Sequence, residues 1–164
     1  MSYRTLELSL VICIYTKEIN KQRRITMNNL DQLKRQHLEI FEVLNETKLL
    51  IQKENYENDS QVIARNINKI AGKLQVHLIN EDKFLYPAFL KSKSIELKNK
   101  AQKYTLEMGD LSNVYTAFKN KYNTRSKIMA DTKSFITDSN KVFKAIEKRI
   151  LKEDNDLYKV AEKL

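Results

Sequence analysis

Apolar residues divide most of the chain into amphipathic segments of helical period. From Met27 onward they recur at steps of three and four, which is the spacing of one face of an α-helix. Polar stretches at residues 55–60 and 123–126 interrupt the pattern, and Pro87 ends or kinks the second segment. These breaks predict helices over about residues 29–53, 60–90, 94–122 and 132–163. The short connections predict an all-α protein, an up-down-up-down antiparallel four-helix bundle with a short N-terminal extension.

The first 26 residues differ from the rest of the chain. They hold a short apolar run at residues 8–15 and a basic stretch at residues 17–24. The run is too short to span a bilayer, and it lacks the charge order and the cleavage site of a signal peptide. We therefore divide the chain into an N-terminal extension, 1–26, and a bundle domain, 27–164. The extension is interpreted as an appended strand, a frayed arm or an artefact of start-site choice.

Composition agrees with the helical class and excludes several kinds of site. Two glycines and one proline are too few for the hairpins of a sheet protein or for a glycine-rich phosphate loop. One cysteine and two histidines exclude a Cys/His zinc module. The single cysteine also excludes an internal disulfide, which favours a cytoplasmic location. Because no Ser/His/Asp or Cys/His constellation is present, we do not expect an enzyme.

The positive charge of the chain does not by itself indicate a nucleic-acid partner. Thirty Lys and Arg stand against 21 Asp and Glu, for a net charge of +9. Acidic and basic residues alternate on every predicted helix, so we expect neither nucleic acid nor a membrane as a partner. The basic stretch at residues 17–24 is the local exception, and a basic adaptor that uses this arm is a third hypothesis. The oligomeric state stays open.

Three of the four apolar stripes carry polar side chains where the pattern requires leucine or isoleucine. These side chains are His37 in the first helix, His77 and Glu81 in the second, and Arg149 and Glu153 in the fourth. Buried carboxylates are costly unless they are paired or bind a metal ion. The sequence therefore predicts a compensating partner inside the bundle.

The predicted topology places these polar residues at one level. They lie about 8 to 11 residues from the same end of the bundle, a spread of about 4–5 Å along the helix axes. In the third helix this level offers Glu107 as a candidate carboxylate. His77 and Glu81 are four residues apart and project from one helix face. Imidazoles and carboxylates from facing helices are typical of non-haem iron or manganese sites, and zinc is less natural for a carboxylate-rich set.

Three segments carry these residues in a distinctive order. They read QHLEI over residues 36–40, HLINEDKFLYP over residues 77–87 and RILKEDNDLY over residues 149–158. The second segment is the most specific, with a histidine, a glutamate four residues later and an aromatic–proline ending. Together the segments resemble the hemerythrin family in its HHE-type cation-binding form, and the resemblance covers about residues 29–163.

The resemblance implies a metal centre and names its residues. His37, His77 and Glu81 take the positions of metal ligands, with Glu81 as the carboxylate that bridges two irons. Glu153, or else Asp154, takes the place of the carboxylate in the fourth helix. The implied cofactor is non-haem iron, as one or two ions, with manganese and zinc as alternatives. The implied function is binding or sensing of oxygen or nitric oxide, or handling of iron.

Two departures from the family pattern lead to an alternative. The family usually has a histidine shortly before the last carboxylate, where this chain has Arg149, and it usually supplies histidine from the third helix, where this chain offers Glu107. The alternative is a metal-free structural or interaction bundle, in which Arg149 is a charge surrogate that clamps Glu81 and Glu153. In another interpretation, Arg149 extends along its apolar stem to water.

Overall fold

Helices form the fold of the protein, whose computed structural model describes residues 3–162 apart from the side chains of residues 3–15, 18–19, 22–26 and 108. The α-helices are α1 (Tyr3–Ile51), α2 (Ser60–Asn80), α3 (Tyr86–Lys91), α4 (Ile95–Tyr122), α5 (Arg125–Ala130), α6 (Thr132–Lys152) and α7 (Tyr158–Glu162). A 3-10 turn spans Tyr56–Asp59, and two π-helical turns span Glu81–Leu85 and Glu153–Leu157. Residues 3–162 contain no strand, so the prediction of an all-α protein is confirmed.

Four long helical segments correspond to the four predicted helices. α1 is the first and α4 is the third, while the second consists of α2, a π-turn and α3, and the fourth consists of α6, a π-turn and α7. Pro87 lies in the first turn of α3, where a proline is tolerated, so the helical path continues to Lys91. α1 packs against α2, α2 against α4, α4 against α6 and α6 against α1. The four segments therefore enclose a common core.

Side-chain caps mark helix starts in the second half of the chain. Ser94 Oγ accepts a hydrogen bond from Leu97 N at 3.2 Å at the start of α4. Thr124 Oγ1 accepts from Lys127 N at 3.4 Å at the start of α5. This short helix lies partly in the stretch where the sequence predicted only a break, and the hydroxyl cap explains why the chain turns helical again so soon.

The N-terminal segment is helical as far as the structure describes it. α1 runs without interruption from Tyr3, so the strand interpretation of residues 3–26 is wrong. This stretch contains neither glycine nor proline. A helix that has already formed extends easily through such a stretch, because each residue that is added to it forms one further backbone hydrogen bond. Residues 1–2 lie outside the described range, and the division at residue 26 stays a prediction. Among the described residues, no helix combines the length and apolar character that a membrane span requires.

A polar layer divides the apolar core into two clusters. The larger cluster includes Ile67, Phe118 and Phe143, and the smaller includes Leu85, Phe89 and Leu157. Along α1 the order is Leu33 in the smaller cluster, His37 in the polar layer and Ile40 in the larger cluster. Apolar residues therefore lie on both sides of the polar layer and separate it from water at the two ends of the bundle.

Candidate metal centre

The polar layer brings together the main residues that the sequence singled out. Its four innermost side chains, each at most 1% exposed, are His37, His77, Glu81 and Glu153. His37 Nε2 lies 3.1 Å from His77 Nε2 and 3.1 Å from Glu153 Oε2. His77 Nε2 lies 3.8 Å from Glu153 Oε2 and 3.8 Å from Glu81 Oε2. Side chains of the first, second and fourth helical segments therefore meet at one level of the bundle, as the sequence predicted.

Two π-helical turns carry the glutamates of this layer. Each turn begins at its glutamate, and the N–H of Tyr86 or Tyr158 closes it by donating to the carbonyl of Glu81 or Glu153. π-turns are rare and occur frequently at functional sites. The periodicity did not predict them. Pro87 was a local indication of the first π-turn, at Glu81–Leu85, because a residue without an N–H interrupts the α-helical hydrogen bonds. The second π-turn has no such indication in the sequence.

Hydrogen bonds at the outer nitrogens direct both imidazoles inward. His37 Nδ1 donates to Asp154 Oδ1 at 2.8 Å, and His77 Nδ1 donates to Gln36 Oε1 at 3.3 Å. A neutral imidazole that donates from Nδ1 keeps its lone pair at Nε2. The two Nε2 lone pairs then face one another across 3.1 Å. Such an arrangement is repulsive unless a proton or a metal cation lies between the two rings.

Glu153 Oε2 is the third atom directed at this point. It is buried and lies 3.1 Å from His37 Nε2; unless that nitrogen carries a proton, it accepts no hydrogen bond from any residue in the described part of the chain. An unpartnered buried acceptor is costly. The two Nε2 atoms and this oxygen lie within 4.8 Å of one another. Ligand atoms at bonding distance from one ion, about 2.0–2.2 Å, are themselves roughly 3–4 Å apart. The three atoms therefore fit a single metal ion, and two imidazoles with one carboxylate are the donor set of non-haem Fe(II) sites.

The electrostatics of the layer favour a positive charge at this point. Burial alone would lower the pKa of His37, but the Asp154 hydrogen bond and the nearby Glu153 carboxylate raise it to about 9. Burial lowers the pKa of His77, and the charge of His37 lowers it further. Burial would raise the pKa of Glu153, but both imidazoles and the Arg149 guanidinium hold it below its usual range. Glu153 is therefore the anion of the layer.

Glu81 lies beside the three-atom group rather than in it. Tyr86 Oη donates to Glu81 Oε2 at 3.2 Å, and Tyr158 Oη donates to Glu81 Oε1 at 3.0 Å. Burial and the charge of Glu153 raise the pKa of Glu81 well above its usual range. The aromatic positions of the two motifs were visible in the sequence, but their hydroxyl contacts were not. The bridging role of Glu81 stays a prediction.

Arg149 lies inside the layer and not at its edge. Its side chain is 7% exposed, so the interpretation that it extends to water is wrong. Nε donates to Glu153 Oε1, while Nη2 donates to the Tyr104 carbonyl at 3.1 Å and to Tyr86 Oη at 3.3 Å. The predicted direct clamp on two carboxylates is therefore half correct: Arg149 pairs with Glu153, and Tyr86 stands between Arg149 and Glu81 by bonding to both.

The two weaker ligand candidates lie on the outer side of the layer. The Asp154 carboxylate is 34% exposed and bonds to His37 Nδ1. The Glu107 carboxylate is 38% exposed and accepts hydrogen bonds from Arg149 at 3.3 Å and from Lys152 at 2.6 Å. Neither contributes an atom to the three-atom group. Asp154 is instead a positioning residue, because its hydrogen bond fixes the orientation of the His37 ring.

Replacing Asp154 with alanine should weaken metal binding by about 10- to 100-fold, since His37 loses the acceptor that orients it. Competition titration against a metal-binding dye measures the change. Asp82→Ala is the matched control, because Asp82 follows Glu81 as Asp154 follows Glu153 but is exposed. Equal affinities for the two variants would contradict the positioning role.

Comparison with known proteins adds one finding. The family model of the hemerythrin HHE cation-binding domain matches residues 28–161. No curated protein and no solved structure matches the chain. The matched range contains the whole polar layer and, from residue 28 onward, all of the four long helical segments except Glu162 at the end of α7.

Proposed function

The chain belongs to the hemerythrin HHE cation-binding family, and on this premise we propose that it binds non-haem iron at His37, His77 and Glu153. The observation that carries the proposal is the convergence of two Nε2 lone pairs and one unpartnered carboxylate oxygen at a single buried point. A single proton on His37 Nε2 would have to be shared between His77 Nε2 and Glu153 Oε2, each 3.1 Å away, in a three-centre hydrogen bond. A divalent ion accepts all three, and the carboxylate offsets part of its charge.

The surroundings of the centre favour a small, uncharged ligand. When bound, iron supplies open coordination positions for a diatomic molecule such as oxygen or nitric oxide. The apolar clusters on both sides of the layer exclude water, and the Asp154 and Gln36 contacts hold the rings in place. We assign the protein to binding or sensing of such a molecule, or to iron handling, rather than to catalysis. Manganese and zinc are the alternative metals.

Two further parts of the proposal rest on the sequence. The short connections support the up-down-up-down antiparallel order of the four long segments. The single cysteine supports a cytoplasmic location, since it allows no disulfide within the chain.

A metal-free structural or interaction bundle is the second candidate. The buried ion pair between Arg149 and Glu153 favours it, because this pair neutralises the layer's anion without a metal. The raised pKa of Glu81 favours it too, because burial and the nearby charge of Glu153 favour a neutral carboxylic acid, against the opposing effect of the hydrogen bond from Tyr158.

Iron loading separates the two candidates. Protein purified after growth in iron-supplemented medium, or loaded with Fe(II) under anaerobic conditions, should hold near-stoichiometric iron in elemental analysis. Nitric oxide added to the reduced protein should change its visible spectrum. Protein that contains no iron, manganese or zinc and takes up no Fe(II) would contradict metal binding and favour the metal-free bundle.

A further inference from the structure

The second and fourth helical segments share one sequence pattern, but they differ in its first residue. In residues 77–86 and 149–158 a glutamate lies four positions after the first residue, an aspartate lies five after and a tyrosine lies nine after. In both segments the glutamate begins a π-turn and the tyrosine N–H closes it. The first residue is His77 in one segment and Arg149 in the other. Arg149 therefore occupies the position at which the repeat would place another metal-binding imidazole nitrogen.

The contacts of Arg149 are those of a cation shared between two carboxylates. Its Nε donates to Glu153 Oε1, the oxygen other than the one directed at the imidazoles. Its Nη2 donates to Tyr86 Oη, and that hydroxyl donates to Glu81 Oε2. The guanidinium carbon lies 4.5 Å from the centre of the Tyr104 ring, which adds a cation–π contact.

A guanidinium in this place excludes a second ion for two reasons. It is permanently charged and therefore repels a neighbouring cation, and its nitrogens carry protons instead of a free lone pair. Both histidines of the chain are already directed at the point that the first ion would occupy. Glu153 Oε1 and the oxygens of Glu81 are already engaged by Arg149 and by the two tyrosines.

We propose that Arg149 is a built-in cation that replaces a second metal ion, so that the centre binds one ion per chain. This inference rests on the proposed function, because it presupposes that His37, His77 and Glu153 hold a metal. Glu81 then bridges no ions. It would lie beside the single ion, with its two oxygens accepting hydrogen bonds from Tyr86 and Tyr158.

Metal stoichiometry tests the inference without an activity assay. Iron per chain is counted in the full-length wild-type protein, in Arg149→His and in Lys152→His, after anaerobic loading with Fe(II) alone. We expect one ion in the wild type and close to two in Arg149→His, which exchanges the cation for a ligand. We expect one ion in Lys152→His, which adds an imidazole near the layer but keeps Arg149. Electron paramagnetic resonance after oxidation should show an isolated high-spin Fe(III) in the wild type and a weakened signal from the coupled pair in Arg149→His.

The possible failures are distinguishable. Two ions in the wild type, or a coupled pair while Arg149 is present, would overturn the inference and leave metal binding intact. One ion in folded Arg149→His would show that Arg149 is not what excludes the second ion. No ion in the wild type would refute the proposed function itself. If Arg149→His does not fold, the wild-type count and spectrum still decide the number of ions.

Discussion

Replacing Glu153 with glutamine should weaken metal binding by about 100-fold or more. The change keeps the shape of the side chain but removes the anionic ligand, and even the loss of an outer contact to a ligand typically costs about 10- to 100-fold in affinity. Glu153 Oε2 is the one carboxylate oxygen of the three-atom group, so no other described side chain in that group replaces its charge. Competition titration with a chelating dye gives the affinity.

Glu147→Gln is the matched control for this prediction. Glu147 lies on α6 outside the polar layer and pairs with Lys48 at 2.7 Å. Its replacement should leave metal affinity unchanged, and circular dichroism should show that both variants are folded. Wild-type affinity in Glu153→Gln would exclude Glu153 as a ligand. His77→Gln provides a second variant, in which the Arg149–Glu153 pair is intact and the loss of affinity should be similar.

The periodicity of the apolar residues was sufficient to predict the long helices. Each amphipathic segment needs a buried stripe, and the stripe spacing is a local property that the sequence carries directly. The irregular parts depend on less local causes. The π-turns at Glu81–Leu85 and Glu153–Leu157 and the short helix Arg125–Ala130 follow from single hydrogen bonds and from packing against neighbouring segments. A spacing rule contains neither kind of information.

The candidate centre was visible in the sequence as polar residues within apolar stripes. Counting from the helix ends was enough to place His37, His77 and Glu153 at one level, because helical rise converts sequence separation into depth. Rotamers and hydroxyl directions could not be read in this way. The structure alone shows that Asp154 orients His37 and that two tyrosines bind Glu81.

The two oxygens of the buried Glu153 carboxylate have different surroundings. One oxygen accepts from the Arg149 guanidinium, and the other faces the imidazoles without a hydrogen bond from a described residue. The guanidinium alone therefore leaves half of the carboxylate unsatisfied. The Arg149 charge thus balances one oxygen of Glu153 only, and the other oxygen is the one that the proposed metal ion would bind.

Replacing Arg149 with methionine should lower the free energy of unfolding of the metal-free protein by about 3–5 kcal/mol. The change keeps an apolar stem of similar volume but removes the partner of a buried carboxylate, and breaking a buried ion pair from one side typically costs that much. Arg149 is 7% exposed and Glu153 is fully buried, so water cannot replace the lost contact. Urea unfolding in the presence of a chelator, followed by circular dichroism, measures the difference.

Lys48→Met is the control, since it breaks an ion pair between α1 and α6 whose side chains are 36% and 24% exposed. Pairs near the surface contribute about 0–1 kcal/mol, so this variant should remain close to the wild type. The double variant Arg149→Met/Glu153→Gln should regain part of the loss, because it removes the unpaired charge as well. Saturating metal should stabilise wild-type protein by about 2.7 kcal/mol at 100 times the dissociation constant. If Arg149→Met costs no more than Lys48→Met, then Arg149 does not neutralise Glu153, and the charge that balances this buried carboxylate must come from the imidazoles alone.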